Sequence, residues 1–312
     1  MGRNALVIGA TGLLGYGIAK GLCKDGWNDR AIGIEVLSDS NFFPKEIEYR
    51  CGDFYDESFL MDALKGIDKV FYFLSSTFPS TSSDSLELEV SRTLSGLDYL
   101  LRKMREAGVK EIVYPSSGGT VYGNVSSGNV KETDPLSPTT PYGVGKKMSE
   151  QMLAFYSQFG LSATILRVGN VYGTPLLRST AQGVIDLFVQ KALKNEPVTV
   201  WGDALHSVRD YIFLDDFSDA VVRISAFDAE GVEIYNLGTG IGTSLEEIIE
   251  CINACADQPL TINHVTKDST ASIKRNVLDM SKFKEKTGWE PAYDIKKGIE
   301  KTMERKKHLI RV

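Results

Sequence analysis

The feature that most constrains this chain is a glycine-rich junction. Gly9, Ala10, Thr11, Gly12, Leu13, Leu14 and Gly15 stand between an apolar run, Asn4–Ile8, and an amphipathic stretch, Leu13–Lys24, that Gly26 closes. The first reads as a buried strand and the second as a helix, so the glycines form a strand-turn-helix junction. Glycines also end strands for packing reasons. Directly before a helix, however, they let the backbone turn tightly and approach a pyrophosphate, whose charge is stabilised by free amides and the helix dipole. The junction therefore predicts dinucleotide binding by Gly9, Thr11, Gly12, Leu13 and Leu14.

The alternation continues along the first half. Apolar runs at 31–35, 48–51, 69–74, 111–114 and 163–166 read as strands, separated by amphipathic stretches that read as crossover helices. The longest spans 84–107, where Leu86, Val90, Leu94, Leu97, Leu101 and Met104 recur at helical spacing before Gly108. Another spans 142–159. Beyond Asn170, Gly173, Pro175, Gly183, Pro197, Gly202 and the 238–242 glycines break the chain into shorter elements. Asp215, Asp216 and Ser218 precede a helical run through Ile224, and Ser244 with Glu247 forms a capping-box pattern ahead of Ile248, Ile249 and Ile252. The expected fold is α/β: a Rossmann-type doubly wound parallel sheet with a smaller C-terminal α/β substrate lobe. The expected domains are an NAD-binding part at 1–170 with returning segments near 205–240, and a mainly substrate-binding, discontinuous lobe at 171–312.

Composition narrows the function classes. With 42% hydrophobic residues the chain can bury a core, yet no stretch approaches the ~20 apolar residues of a membrane helix, so no membrane partner is expected. A net charge of −6 without a basic stripe argues against nucleic acid. Cys23, Cys51, Cys251 and Cys255 form no C-x-x-C pair and no signal-peptide pattern is present, which fits a reducing cytoplasm. Cys251 and Cys255, four apart on a predicted helix, read as buried apolar residues. His206, His264 and His308 lack ligand spacing, and no metal is expected.

Two further features carry chemistry. Glu35 lies about twenty residues beyond the glycines, where a carboxylate accepts hydrogen bonds from ribose hydroxyls and repels a 2′-phosphate; this favours NAD, unless Glu35 is only a solvated strand end. Tyr142 and Lys146 sit four apart on one predicted helix, so both project from one face. A neighbouring ammonium and a positive nicotinamide ring both favour the phenolate, which makes Tyr142 a usable base. An exposed helix face is the alternative reading of the pair.

The run Pro115, Ser116, Ser117, Gly118, Gly119, Thr120, Val121, Tyr122, Gly123, together with 142–146, 167–173 and 209–211, resembles the NAD-dependent epimerase/dehydratase family over roughly 5–289. This is an extended branch of the short-chain dehydrogenase/reductases, and the G-x-x-G-x-x-G spacing is similar to that superfamily. The likeness lies nearest the UDP-glucose 4-epimerase-like nucleotide-sugar epimerases. It implies adenine contacts at Asp53 and Phe54, with Asp53 as a turn or cap residue otherwise. It implies cofactor contacts at Leu74, Ser75, Ser116 and Val168, and substrate contacts at Ser76, Asn170, Trp201, Arg209 and Arg275. Trp201 could instead anchor the lobe, and Arg209 could instead pair with Asp210 or Asp215. Ser269 stands about where the family has a second arginine, with Lys267, Lys274 and Arg275 nearby.

The family's catalytic hydroxyl, five positions before the glycine of V-Y-G, is replaced here by Gly118. Ser117 and Thr120 are the nearest substitutes. Gly118 and Gly119 also stand where dehydratases carry an acidic pair, which disfavours dehydration. The resemblance thus implies a nucleotide-sugar 4-epimerase that oxidises C4 transiently with tightly bound NAD, as a homodimer joined through the helices at 84–107 and 142–159. A nucleotide-sugar 4-keto reductase and a non-catalytic NAD-sensing regulatory protein are the alternatives.

Overall fold

In the first half, each short apolar run closes as a strand and each amphipathic stretch lays its apolar stripe on the resulting sheet. The computed structural model describes residues 3–33, 42–75, 85–125, 127–174, 183–266 and 273–310. In chain order the first elements are β1 (Asn4–Ile8), α1 (Leu13–Lys24), β2 (Asn28–Gly33), β3 (Glu48–Cys51), α2 (Glu57–Leu64), β4 (Lys69–Tyr72), α3 (Leu86–Ala107), β5 (Glu111–Ser117), α4 (Gly118–Val121), α5 (Pro141–Ser157) and β6 (Ser162–Val168). Then follow β7 (Asn170–Tyr172), α6 (Val184–Leu193), β8 (Val198–Trp201), β9 (Val208–Phe213), α7 (Leu214–Ser225), β10 (Val232–Leu237), β11 (Gly242–Ser244), α8 (Leu245–Cys255), β12 (Ile262–Val265), β13 (Arg275–Asn276), α9 (Ser281–Thr287) and α10 (Ile295–Ile310). Glu35 and Ser76, and also Lys267 and Ser269, lie outside the described residues. No described helix is long and apolar enough to cross a membrane.

The chain forms two compact units, one of 1–121, 140–167 and 218–235, the other of 122–139, 168–217 and 236–312. In the first, a seven-stranded sheet runs β10-β6-β5-β4-β1-β2-β3. Strands β3, β2, β1, β4 and β5 pair in parallel, and the order reverses between β1 and β4. That reversal opens a crevice at the carboxyl ends of the strands, as Rossmann-type sheets do. The core gathers Leu6, Ile8, Leu60, Leu64, Val70, Leu97, Leu100, Met104, Ile112, Leu153 and Ile165.

Helix α3 departs from its sequence reading in its first turn. Periodicity put Leu86 in the buried stripe, but Leu86 and Leu88 are exposed while Glu89 is fully buried. Lower on the same face, Thr93 approaches Gly145 of α5, where an added Cβ would sit 3.4 Å from its Oγ1. Further along, Leu97, Leu101 and Met104 of the predicted stripe are buried as read.

In the second unit, β9 carries β11 and β13 on its two sides and also pairs with β7, and β12 pairs with β8. Tyr172, Phe188, Val198, Phe213, Ile248, Ile252, Ile299 and Met303 form its core. The expected capping box is present: Ser244 Oγ accepts from the Glu247 amide at 3.1 Å, and Glu247 Oε2 accepts from the Ser244 amide at 2.6 Å. Asp215 and Asp216, expected ahead of α7, instead occupy its first turn because β9 runs into the helix without a loop. Their carboxylates serve other segments. Asp215 pairs with Arg305 at 2.6 Å, and Asp216 accepts the amides of Ala292 and Tyr293, each at 3.0 Å.

One buried ion pair organises this second core. Asp186, fully buried on α6, accepts the amides of Gly173 at 3.0 Å and Thr174 at 3.2 Å and pairs with buried Lys306 of α10 at 3.1 Å. Removing one partner of such a pair leaves an uncompensated buried charge. Lys306→Met should therefore destabilise the protein by about 3–5 kcal/mol. In urea unfolding this would appear as a lower midpoint without a change in slope; an unchanged midpoint would count against the pair's role.

Candidate active site

The glycine junction folds as its residues dictate. Gly9 has φ +83°, a left-handed conformation that L side chains avoid, and a Cβ there would lie 2.7 Å from the Leu74 amide nitrogen. A Cβ on Gly15 would strike the Gly9 carbonyl oxygen. The amides of Gly9 and Ala10 both donate to the Ile32 carbonyl, at 3.1 and 3.2 Å, and Gly12 donates to Gly9 at 2.9 Å, so the turn is pinned to β2. Gly12 is the N-cap of α1, and the first-turn amides beyond it have no intrahelical acceptor. Leu13 opens the helix, with Leu14 half-buried next to it and Thr11 buried beside Gly33.

Beside this turn Ile8, Gly9, Ile32, Gly33, Gly52, Phe54, Phe59 and Leu74 line a small hollow. Its walls are apolar, which suits the faces of a flat aromatic base better than a charged group. Phe54 and Leu74, read from the sequence as cofactor contacts, both line this hollow. Asp53 sits at its rim in an exposed turn, where Oδ1 accepts the Tyr55 amide at 2.9 Å, and Ser75 is exposed at the end of the segment after β4.

Helix α5 carries Tyr142 and Lys146, the candidate acid-base pair. Thr140 caps it by accepting the Gly143 amide at 3.1 Å, and Pro141 fills the first helical position, which places Tyr142 in the first turn. One turn later the buried Lys146 Nζ donates to the Pro115 carbonyl at 2.8 Å and the Tyr114 hydroxyl at 3.3 Å, and lies 5.7 Å from the Tyr142 ring centroid. The Tyr142 hydroxyl has no hydrogen-bond partner among the described residues. Burial pushes the Tyr142 phenol above its ordinary pKa, the Lys146 charge opposes that shift, and Tyr114 and Glu89 add to it. Desolvation thus outweighs the Lys146 charge at Tyr142, and the sequence reading paired that charge with a nicotinamide ring to favour the phenolate. For Lys146, burial works to lower its pKa, but Tyr114, Tyr142 and Glu150 together raise it, so it remains an ammonium.

The hydroxyls at the end of β5 have different fates. Ser116, expected at the cofactor, donates to Glu150 of α5 at 2.5 Å, and Arg167 of β6 grips the same carboxylate at 2.8 Å. The Thr120 hydroxyl lies 3.5 Å from the Ser117 carbonyl, which it faces as donor. The Ser117 hydroxyl has no partner among the described residues, so Ser117 is the one available for a ligand. Tyr114, Glu150 and Arg167 escaped the sequence reading. Glu150 was accessible there as the next four-residue step after Tyr142 and Lys146, and Arg167 stood there only as the first residue of the 167–173 run, whereas Tyr114 is marked by no local signal.

The second unit holds the remaining candidates. Arg209 is half-buried, and its guanidinium donates to the carbonyls of Val208 at 3.0 Å and of Ile273. It pairs with no carboxylate among the described residues, since Asp215 is held by Arg305 and Asp210 accepts the amides of Thr239, Gly240 and Leu278 at 2.7, 3.0 and 3.2 Å. The ion-pair alternative for Arg209 is thereby removed. Burial lowers the Arg209 pKa from its usual value, and an anion would relieve that penalty. Asn170 donates to the Asp210 carbonyl at 3.0 Å; Arg275 lies 3.4 Å from the Gly128 carbonyl; Trp201 is exposed at the end of β8; Val168 is buried at the end of β6.

The sequence profile of the NAD dependent epimerase/dehydratase family matches residues 5–238. The chain belongs to that family. It is similar to UDP-glucose 4-epimerase of Mycolicibacterium smegmatis, at 29% identity over 96% of this chain and 97% of the relative. It is also similar to dTDP-4-dehydro-6-deoxyglucose reductase of Escherichia coli, at 29% identity over 75% of this chain and 73% of the relative. Among solved structures it is similar to UDP-glucose-4-epimerase from Stenotrophomonas maltophila with bound NAD and formylated UDP-arabinopyranose, at TM-score 0.89 and 26% identity over 99% of each chain. As a member of the epimerase/dehydratase family, the chain is an NAD-dependent enzyme.

The residues present fit that cofactor: the first-turn amides of α1 beyond Gly12 suit its diphosphate, and the small apolar hollow adjoins the same turn. The balance of charge at Tyr142 is testable without any ligand. The phenolate is the basic form and the ammonium stabilises it, so Lys146→Met should raise the Tyr142 pKa further. An ultraviolet difference titration, referenced to the same variant carrying Tyr142→Phe, reads the shift; a titration moved to lower pH would contradict the assignment.

Proposed function

We propose that the chain is a nucleotide-sugar 4-epimerase acting on a UDP-hexose, its uronate or its N-acetyl form. The observation that carries the reading is the Tyr142–Lys146 pair, with the ammonium fixed by Pro115 and Tyr114 and the phenol hydroxyl left for a ligand. NAD, when bound, supplies the hydride acceptor and donor. Tyr142 takes the proton of the sugar hydroxyl as its carbon is oxidised and returns it as the carbon is reduced. Lys146 holds down the pKa of that phenol, and Ser117 supplies the hydroxyl that orients the reacting oxygen. Leu13 and Leu14 offer helix amides to the pyrophosphate, Glu35 the ribose contact, and Arg209 binds the diphosphate of the substrate with its planar donors. Asn170, Arg275, Trp201 and Ser76 complete the substrate contacts.

A second reading, a nucleotide-sugar 4-keto reductase, is supported by the likeness to the reductase named above. Incubation with UDP-glucose, UDP-glucuronate and their N-acetyl relatives without added cofactor should yield the 4-epimers. Stoichiometric loss of NADH or NADPH with a keto-sugar, and no epimer, would favour the reductase. Tyr142→Phe should abolish turnover and spare NAD affinity in calorimetry; full activity in that variant would end the acid-base assignment.

A homodimer in the cytoplasm belongs to the same proposal. Leu86 and Leu88 of α3, Met148 and Phe155 of α5, and Phe159 just beyond it are all exposed, an apolar set that a second copy would cover. Sedimentation should give a dimer for the native chain and a monomer for the double change Phe155→Asp, Phe159→Asp. A monomeric native chain would refute it.

A further inference from the structure

Three consecutive residues end β5, and α5 treats them differently. Lys146 binds the carbonyl of Pro115 at 2.8 Å; Glu150, one turn further along the helix, binds the hydroxyl of Ser116 at 2.5 Å; the hydroxyl of Ser117 has no partner among the described residues. Glu150 is itself immobilised. Arg167 Nε lies 3.1 Å from Oε1 and 3.3 Å from Oε2, while Nη2 lies 2.8 Å from Oε2, and all three side chains are buried. The carboxylate is therefore fully engaged on both oxygens, and its position is set from β6 rather than from solvent.

We propose that Glu150 is a positioning residue of the reaction centre, holding Ser116 so that the last turn of backbone in β5 presents Ser117 in one fixed direction. This rests on the acid-base reading above, and it reassigns Ser116 from a cofactor contact to one half of a clamp. The physical ground is that a buried ion pair is a poor source of net stability, because desolvation offsets much of its attraction. Its value lies in geometry: a charge-assisted bond to a planar carboxylate held on both oxygens admits few arrangements. Lys146 and Glu150 share one helix, so the clamp closes on adjacent residues of β5 from a single rigid support. The same carboxylate favours the charged form of Lys146, with burial opposing and Tyr114 and Tyr142 assisting, while Glu89 of α3 acts on Tyr142.

Ser116→Ala tests the clamp without disturbing the Glu150–Arg167 pair. With a UDP-hexose that the native enzyme turns over, kcat should fall on the order of tenfold to a hundredfold, since small misplacements of a reacting group cost that much. KM and NAD affinity should stay at native values, and Ser116→Thr, which keeps the hydroxyl, should restore most of kcat. Hydrogen exchange across 111–123 should quicken in Ser116→Ala, whether or not any sugar is turned over. Native kcat with native exchange, or a loss explained by weaker NAD binding, overturns the proposal. Tyr142→Phe keeps the two readings apart: activity retained there defeats the acid-base reading, whereas a dead Tyr142→Phe beside an unaltered Ser116→Ala defeats only the clamp.

Discussion

The bond from the buried Lys146 ammonium to the Pro115 carbonyl, 2.8 Å long, is the contact on which the reaction centre depends. It joins the helix that carries the proposed acid-base group to the strand that carries Ser117, and does so with a charge. A buried ammonium left without acceptors would lose its proton or expel its helix. Here the Pro115 carbonyl and the Tyr114 hydroxyl fill that need, so α5 has one seating on β5. Thr140 and Pro141 begin that helix at a definite residue, which turns the seating of Lys146 into a position for Tyr142.

Much of the fold was legible because the relevant signals are local. The glycine junction, the first apolar run and the capping box at Ser244 and Glu247 each involve neighbours in sequence and folded as read, whereas the strand read at 31–35 begins earlier, at Asn28. What escaped reading was set by partners far along the chain. Glu89 is buried and Leu86 exposed, which the apolar pattern of α3 itself does not reveal. Asp215 and Asp216 looked like a helix start, but their carboxylates serve Arg305 and the 292–293 amides. The Tyr142–Lys146 pair was legible from spacing, whereas the burial that pushes Tyr142 upward belongs to the packing around it. Ser116, Glu150 and Arg167 come from three separate segments, and only the assembled sheet brings them together.

The second unit applies the same economy of charge. Asp210, buried in β9, gathers the amides of Thr239, Gly240 and Leu278, and so holds the glycine-rich turn before β11 in place. Gly238 is needed there because a Cβ would stand 2.6 Å from the Asp210 carboxylate. With Asp210 satisfied by backbone, the neighbouring Arg209 keeps its charge without a carboxylate beside it.

Tyr142, Lys146 and Glu150 recur every four residues along one helix whose start is fixed by Thr140. Because they ride on a common rod, they share its rotation and its translation: a displacement of α5 moves all of them together and leaves their mutual spacing intact. Variation in the loops that meet the substrate can thus accumulate without detuning the chemistry, while a single kink inside the rod would disable every one of these groups at once.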